Sequence, residues 1–463
     1  MTSPLQPASP DSTSATTNPA PPTCTPAAPH PSNTSTADAS PAAPTQAPAA
    51  PHPANATTPT TTSPALPLGT RRLRMGVVGV GARAPLALHA LDCPHGVDLV
   101  AALDPHPQAA RRAQDRLRQP VPVASTLQDF LSFDLDLAFV TSPDHTHEEI
   151  APALLRAGVA VYLEKPLAIT LPGALAILQA ARESGTALYV GHNMRHMAVV
   201  RTLRRLIQEG LVGQVKAIWC RHFVGHGGDF YFKDWHAERR YTTSLLLQKA
   251  AHDIDVMHWL AGAYTQRVTA LGGLTVYGDV PSRADNSDRL MTDWFDRTAY
   301  PATQQTGLNP VIDVEDLSQV LMRLPGGMFA SYQQCHYTPD YWRNYTVIGT
   351  HGRLENFGDG AGGRVVLYNH RTNYNEAGDQ VFPIAEEAEG HGEADALTVA
   401  EFLRFLRFGT PTDTSPVAAY HAVATGIAAT LSLRQDGQPY DVAALPADLA
   451  AYFESNQGRS ALP

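Results

Sequence analysis

Three polar side chains recur at helical spacing in the stretch LQKAAHDIDVMHWLAG, residues 247–262. Gln248, His252 and Asp255 share one face of a helix, because their spacings of four and three residues follow the helical repeat. The opposite face is apolar and carries Leu247, Ala250, Ile254, Met257 and Ala261. Since an imidazole exchanges protons near neutral pH, this arrangement predicts a polar ligand or a proton-transfer site facing the helix.

A glycine-rich turn near residue 80 predicts where a ligand would lie. The stretch LRMGVVGVGARAPLALHAL, residues 73–91, reads as an apolar strand, a turn and a helix beginning near Ala84. Its turn matches the G-x-G-x-x-G/A pattern, in which the first glycine permits a tight turn and the second lets backbone approach a pyrophosphate. We therefore expect Gly79, Gly81, Ala82 and Arg83 to contact a dinucleotide.

The next strand supplies the acidic residue that this pattern requires. VDLVAALD, residues 97–104, ends in Asp104, about 20 residues beyond the glycines. A carboxylate there accepts hydrogen bonds from a ribose diol and repels a 2′-phosphate, which favours NAD over NADP. The alternative is that Asp104 only opens the turn DPHP.

Strands and helices then alternate. The sequence predicts a helix over 108–117, a strand ending at Pro143, a helix over 146–157 and a strand ending at Pro166. This order indicates a parallel sheet, and ligands of such sheets collect at the carboxyl ends of the strands. TSPDHTH and EKP both lie at those ends.

Composition and charge exclude several other classes of protein. Residues 1–69 contain no aromatic residue, Lys or Arg and are rich in Pro, Ala, Thr and Ser, so we expect a disordered tail. The net charge of -10 argues against nucleic acid as a partner. No run of 18 apolar residues indicates a membrane span, and the four widely spaced cysteines fit a reducing cytoplasm.

The motifs GVVGVGARA, TSPDHTHEEIAPALLRAGVAVYLEKPLA, GHNMRH and HDID resemble those of the Gfo/Idh/MocA oxidoreductase family, in family order from about residue 73. The resemblance implies an α/β protein with a Rossmann doubly wound parallel sheet over 70–192. An α/β domain with a large, mostly antiparallel sheet would follow over 193–463 for substrate binding and oligomerisation. It also implies a homo-oligomer, a dimer or tetramer.

The implied activity is hydride transfer between NAD and a hydroxyl of a sugar, inositol or other polyol. His252 is the expected base, because oxidation of an alcohol releases the hydroxyl proton as hydride leaves carbon. Lys165 of EKP would polarise the same oxygen. Inositol dehydrogenases of the family carry an acid four residues before the histidine, whereas this chain has Gln248 followed by Lys249, which leaves substrate and direction open.

Further site residues come from the resemblance. Ser142, Pro143 and His147 are expected near the central and nicotinamide parts of NAD, with Glu164 and Asn193 closing the nicotinamide side; ordinary turn chemistry is the alternative for Ser142 and Asn193. For the substrate we expect Gln248, Lys249, Arg195, Trp235 and Tyr231.

The loop 222–237, HFVGHGGDFYFKDWHA, collects residue types that ligate metals. It lacks a compact H-x-x-x-H helix, and its glycines suit a loop over a polar ligand, so no metal is expected. Two rival functions stay open: a glycosidase that oxidises its sugar transiently and recycles NAD, and a non-catalytic NAD-binding sensor. The sensor is suggested by Gln248 in place of an acid, and the alternative for His252 is a structural histidine in a domain interface.

Overall fold

The computed structural model describes residues 71–93, 96–384 and 392–459. The predicted tail over 1–69, with Cys24, lies outside the described residues. The described cysteines, Cys93, Cys220 and Cys335, are free thiols.

The first sheet has six parallel strands in the order β3-β2-β1-β4-β5-β6. Their apolar sequences are buried by helices on both faces, as a parallel sheet requires. The strands are β1 Leu73–Val78, β2 Val97–Leu103, β3 Val123–Ala124, β4 Leu137–Val140, β5 Ala160–Leu163 and β6 Leu188–Val190. The helices are α1 Leu88–Leu91, α2 Ala109–Leu117, α3 Leu127–Leu131, α4 His147–Arg156 and α5 Leu171–Ser184. The predicted Rossmann sheet is confirmed.

The second sheet has nine strands in the order β14-β13-β12-β11-β7-β10-β9-β8-β15. Within the described ranges its pairings are antiparallel except β10 with β7, which confirms a mostly antiparallel sheet. Strand β9 alternates buried and exposed residues, so the sheet buries one face. The strands are β7 Val215–Phe223, β8 Arg267–Gly273, β9 Leu317–Leu324, β10 Met328–Cys335, β11 Trp342–Gly349, β12 Arg353–Phe357, β13 Arg364–Tyr368, β14 Gln380–Pro383 and β15 Tyr440–Asp441.

Helices of the second half pack on both sheets. Val399, Phe402 and Leu403 of α11 join the apolar core around Phe139 and Tyr162 of the first sheet. Part of the predicted second domain therefore completes the Rossmann core. The helices are α6 Ala198–Gln208, α7 Gly227–Tyr231, α8 Arg239–Thr242, α9 Leu245–Gln248, α10 Ala250–Ala261, α11 Gly392–Phe408, α12 Pro416–Arg434 and α13 Ala447–Glu454.

Helix α12 is the one described helix whose length and apolar composition would suffice to cross a membrane. Of its apolar window, 78% is buried inside the protein, as in a core helix. It packs against α9, α10 and strand β8. The cytoplasmic location stays a prediction.

Candidate active site

A cavity of about 1190 Å³ lies at the carboxyl edge of the parallel sheet. Its walls come from the loops after β1, β2, β4 and β5, from the segment 230–252, and from the segment 285–311 that connects β8 to β9. The parallel sheet therefore presents its strand ends to one large space, where ligands of such folds bind.

The glycines of the first loop have different tasks. Gly79 has φ +83°, and a Cβ there would lie 2.6 Å from the Ser142 Cα, so only glycine fits the turn. A Cβ on Gly81 would meet nothing within 4 Å, because Gly81 borders the cavity. Ala82 and Arg83 border it as well. The loop leaves room for a ligand against its backbone.

Asp104 stabilises the turn, as the alternative for it stated, and it also borders the cavity. Its Oδ1 accepts from the His106 N–H at 2.9 Å, which stabilises the turn, and its Oδ2 accepts from the Val80 N–H at 2.9 Å, which ties the turn to the glycine loop. The side chain still borders the cavity. Since a carboxylate oxygen accepts more than one hydrogen bond, Asp104 retains capacity for a ligand hydroxyl.

Arg83 lies on the cavity wall, but its charge is already paired. Its Nε donates to Glu164 Oε1 at 2.7 Å and an Nη donates to Asp395 Oδ2 at 2.8 Å. Asn193 donates to the other Asp395 oxygen at 2.7 Å. Asp395 comes from α11, 312 residues after Arg83, and no local pattern in the sequence indicates it.

The structure corrects the expectation for His147. Ser142 and Pro143 border the cavity, but His147 is fully buried beneath them. Its Nδ1 lies 2.9 Å from the Pro166 carbonyl oxygen and its Nε2 lies 3.2 Å from that of Ser142. Burial lowers the pKa of His147 to about 4, so the ring is neutral, donates its single N–H to one of these two carbonyls and lies between the TSP and EKP loops.

Lys165 and His252 border the same cavity. The Lys165 Nζ donates to the backbone carbonyl of Gln248 at 3.1 Å, one helical turn before His252. Burial lowers the pKa of Lys165, opposed by the negative charges of Asp144 and Glu164. The predicted ammonium and imidazole are thus brought to one site.

The predicted helix over 247–262 is two helices, α9 and α10, with Lys249 between them. Gln248 and His252 border the cavity, as expected, together with Lys249. Asp255 points elsewhere: it is neither at the cavity nor solvated, because its two oxygens each accept from Arg195 at 2.7 Å. Arg195 is therefore a buried partner of Asp255, which corrects its assignment as a substrate residue.

The loop over 222–237 divides between the cavity and the core. Tyr231 and Trp235 border the cavity, as predicted. Trp235 stacks on His236 with ring centroids 3.6 Å apart. His222 and His226 lie outside the cavity lining. In the described part of the chain, no three His, Cys, Asp or Glu residues form a group suited to a metal.

Asp144 is a site residue that the sequence interpretation missed. It borders the cavity, is buried, and its Oδ2 has no hydrogen-bond partner among the described residues. Burial raises the pKa of Asp144 to about 7, although Lys165 and His236 oppose the shift. The available signal was its position directly after Pro143, at the carboxyl end of a parallel strand.

A second missed feature is the segment 285–311. It contacts the Rossmann domain through Asp288, whose Oδ1 lies 3.2 Å from His106 Nε2 and whose carbonyl accepts from Arg112 at 2.9 Å. Arg116 donates to Thr292 at 3.1 Å. This connection between β8 and β9 therefore covers the side of the cavity next to Asp104.

The cavity fits a dinucleotide beside a small polar substrate. Typical ligand cavities measure roughly 300–1,000 Å³, and this one is larger. Gly81 leaves open space at one end, next to Asp104. Towards Lys165, Asn193 Oδ1 and Gln248 Oε1 are buried without hydrogen-bond partners in the described ranges, as expected of atoms that await a polar ligand.

Comparisons with known proteins agree with this architecture. Residues 73–192 match the oxidoreductase family with an NAD-binding Rossmann fold, GFO_IDH_MocA, and residues 200–355 match the GFO/IDH/MocA C-terminal domain. An inositol 2-dehydrogenase/D-chiro-inositol 3-dehydrogenase of Shouchella clausii is 30% identical over 203 residues, 43% of this chain and 56% of that protein. Alignments with the first curated relatives span 47% to 60% of those relatives.

Solved structures share the fold. Levoglucosan dehydrogenase in complex with NADH and levoglucosan has a TM-score of 0.63 at 20% identity, covering 80% of this chain and 100% of that one. The myo-inositol 2-dehydrogenase of Lactobacillus plantarum has a TM-score of 0.61 at 16% identity, covering 81% and 100%. At these identities the likeness concerns the fold alone.

Proposed function

The chain belongs to the Gfo/Idh/MocA family of NAD-binding oxidoreductases, and on that premise we propose that it oxidises or forms a secondary hydroxyl of a sugar, inositol or other polyol. The observation that carries this proposal is the placement of Lys165 and His252 on one cavity. The Lys165 Nζ donates to the Gln248 carbonyl at 3.1 Å, four residues before His252 in the sequence. When bound, the nicotinamide supplies the hydride acceptor or donor.

His252 takes the hydroxyl proton in the oxidative direction, because its imidazole borders the same cavity as the Lys165 ammonium. The Lys165 ammonium donates to the same oxygen and stabilises negative charge that develops there. The substrate then carries a carbonyl group, and the proton lies on His252. Gln248 cannot take a proton, but its partner-free Oε1 accepts from a neighbouring substrate hydroxyl.

A histidine variant tests this assignment. Purified protein is incubated with NAD and a panel of inositols, aldoses and sugar alcohols, and reduced nicotinamide is followed by absorbance. We expect His252→Ala to lower turnover by about 10²- to 10⁴-fold, the contribution of general acid–base catalysis, while NADH binding measured by fluorescence is retained. His370→Ala is the matched control, because that side chain is 77% exposed.

The alternatives give different results. Equal turnover in wild type and His252→Ala would contradict the role of His252. A glycosidase cleaves its substrate without net reduced nicotinamide, so product analysis beside the absorbance measurement separates the two enzymes. A sensor binds NADH and turns over none of the panel.

We also propose that the chain forms a homo-oligomer through the outer face of the nine-stranded sheet. Trp219, Leu271, Leu321 and Phe329 on neighbouring strands of that sheet are 50%, 56%, 65% and 61% exposed. Contiguous exposed apolar residues of this kind mark interaction surfaces. Leu321→Glu should lower the molar mass measured by light scattering to that of the 49.8 kDa monomer; a variant that keeps the wild-type mass would contradict this surface.

A further inference from the structure

A second ammonium group lies at the substrate end of the cavity. Lys249 joins α9 to α10, one residue after Gln248, and its side chain borders the cavity. The Nζ lies 5.8 Å from the centre of the Tyr231 ring. Across the described residues, no carboxylate comes within ion-pairing distance of this Nζ.

The nearest carboxylates are committed to other partners. Arg343 Nε lies 2.9 Å from Asp253 Oδ1, and an Arg343 Nη lies 3.4 Å from Asp359 Oδ2. Tyr341 donates to Asp359 at 3.0 Å. At Lys249 the positive charges of Arg343 and Lys165 outweigh Asp253 and Asp359. The field at its Nζ therefore favours an anion.

Two hydrogen-bond acceptors line the same cavity as this cation. Gln248 Oε1 and Asp144 Oδ2 are buried, and the described residues give them no donor. Acceptors of this kind suit substrate hydroxyls, whereas the ammonium suits a negative group on the same molecule. A single ammonium matches a monoanion better than a phosphate dianion, which needs several donors.

We propose that Lys249 binds a carboxylate of the substrate, so that the enzyme acts on a sugar acid or a carboxylated cyclic polyol. This inference rests on the proposed function, since it places the reacting hydroxyl between Lys165 and His252. The carboxylate lies on the Tyr231 side of the cavity. Gln248 accepts from a hydroxyl between the two positions.

The geometry predicts a pH dependence. Burial and the charges of Arg343 and Lys165 lower the pKa of Lys249 to about 7. Carboxylate binding requires the ammonium form, so the KM for an acidic substrate should rise as the pH increases through 7. His222 and His336, which also face Lys249, have pKa values lowered to about 3 by burial and stay neutral in this range.

Ionisation of Asp144 near pH 7 should also raise the KM for an acidic substrate, because it adds negative charge to the cavity. Lys249→Arg separates the two groups, since a guanidinium keeps its charge in this range. The rise in KM should flatten in Lys249→Arg. If it persists there and disappears in Asp144→Asn, the titrating group is Asp144 and Lys249 does not set the dependence.

The main test uses matched substrate pairs with NAD: D-glucuronate with D-glucose, D-galacturonate with D-galactose, and quinate with myo-inositol. We expect wild type to prefer the acid of at least one pair. Lys249→Met should lower kcat/KM for that acid about 10- to 100-fold more than for its neutral counterpart, the effect of one charge-assisted hydrogen bond. The matched control is Lys216→Met, because Lys216 is an exposed residue of β7 outside the cavity lining.

The outcomes separate this inference from the proposed function. If Lys249→Met lowers acid and neutral substrates equally, or no pair discriminates in wild type, the carboxylate site is overturned. A preference for D-glucose 6-phosphate over D-glucuronate that depends on Lys249 would overturn the choice of carboxylate. If nothing is turned over but D-glucuronate raises the Tm of NADH-loaded wild type and not of Lys249→Met, the carboxylate site stands and the proposed reaction fails.

Discussion

Two buried carboxylates, Asp253 in α10 and Asp144 in the loop after β4, show how the same chemical group serves two purposes. Asp253 is 0% exposed and Asp144 is 5% exposed. Burial alone would raise the pKa of both, but for Asp253 the charge of Arg343 and the hydrogen bonds from His222 and Tyr345 prevail and hold its pKa well below the usual range. For Asp144 burial prevails, and its pKa rises to about 7.

The difference lies in the number of partners. Asp253 accepts from Tyr332 and Tyr345, lies 3.0 Å from His222 Nδ1, and pairs with Arg343. Asp144 keeps one oxygen without a donor in the described chain and faces the cavity. A saturated buried charge holds elements together, whereas an unsaturated one is available to a ligand.

The largest expected effect on stability comes from breaking the buried cluster of Asp253 and its partners Arg343, His222, Tyr332 and Tyr345, here called the saturated cluster. Asp253→Asn leaves the Arg343 guanidinium buried without its main counter-charge, so the free energy of unfolding should fall by about 3–5 kcal/mol. Urea unfolding followed by fluorescence measures it. Asp98→Asn on the surface is the control, and a loss below about 1 kcal/mol in Asp253→Asn would remove the distinction between the two carboxylates.

Asp144→Asn should change stability in the opposite direction. Because the pKa of Asp144 rises from its ordinary value of 3.8 to about 7 on folding, its ionisation makes the folded state progressively less stable as the pH increases through that window. The amide does not ionise, so the variant should exceed wild type by up to a few kcal/mol at pH 7 and 8 and match it at pH 4. Thermal unfolding from pH 4 to pH 8 measures this difference in stability. A variant less stable than wild type at pH 8 would show that the Asp144 carboxylate makes stabilising contacts within the protein, as Asp253 does.

His222 gives a smaller effect within the saturated cluster. Burial and Arg343 lower its pKa to about 3 although Asp253 opposes them, so the neutral ring is the folded form. Protonation favours the unfolded chain, and wild type should lose stability as the pH falls from about 6.5 towards 3. His222→Phe removes this titration and also the bond to Asp253, at a cost of about 1–3 kcal/mol at pH 7. An acid sensitivity that is unchanged in His222→Phe would contradict the assignment.

Local sequence patterns predicted several residues that line the cavity, but they could not predict the buried charge pairs. Gly79, Gly81 and Asp104 were found because the turn, the strand end and their spacing lie within 30 residues. Gln248 and His252 reach the cavity because a helical repeat fixes their common face. These features depend on neighbours in the chain.

The buried charged and hydrogen-bonded pairs join residues that are far apart in the sequence. Asp255 was expected to share the ligand-facing side of the helix with Gln248 and His252, but Arg195, 60 residues before it, binds it in the core. Asp253 meets Tyr345 across 92 residues, and Arg83 meets Asp395 across 312. No helical or strand period encodes such pairs, so spacing alone does not show which carboxylate remains available for a ligand.

The smallest expected effect comes from an ion pair on the surface. It shows whether distance or burial sets the strength of these pairs. Arg72 Nε lies 2.7 Å from Asp98 Oδ1, as close as the bonds of the buried clusters, yet the two side chains are 59% and 51% exposed. Water solvates either charge when its partner is removed, so Asp98→Asn should cost less than about 1 kcal/mol, and 0.5 M NaCl should abolish the loss. Urea unfolding at low and high salt measures both quantities beside Asp253→Asn. If Asp98→Asn cost as much as the buried variant, short distance alone would set the strength of these pairs; the expected contrast instead assigns the stability of Asp253 to burial and to its full set of partners.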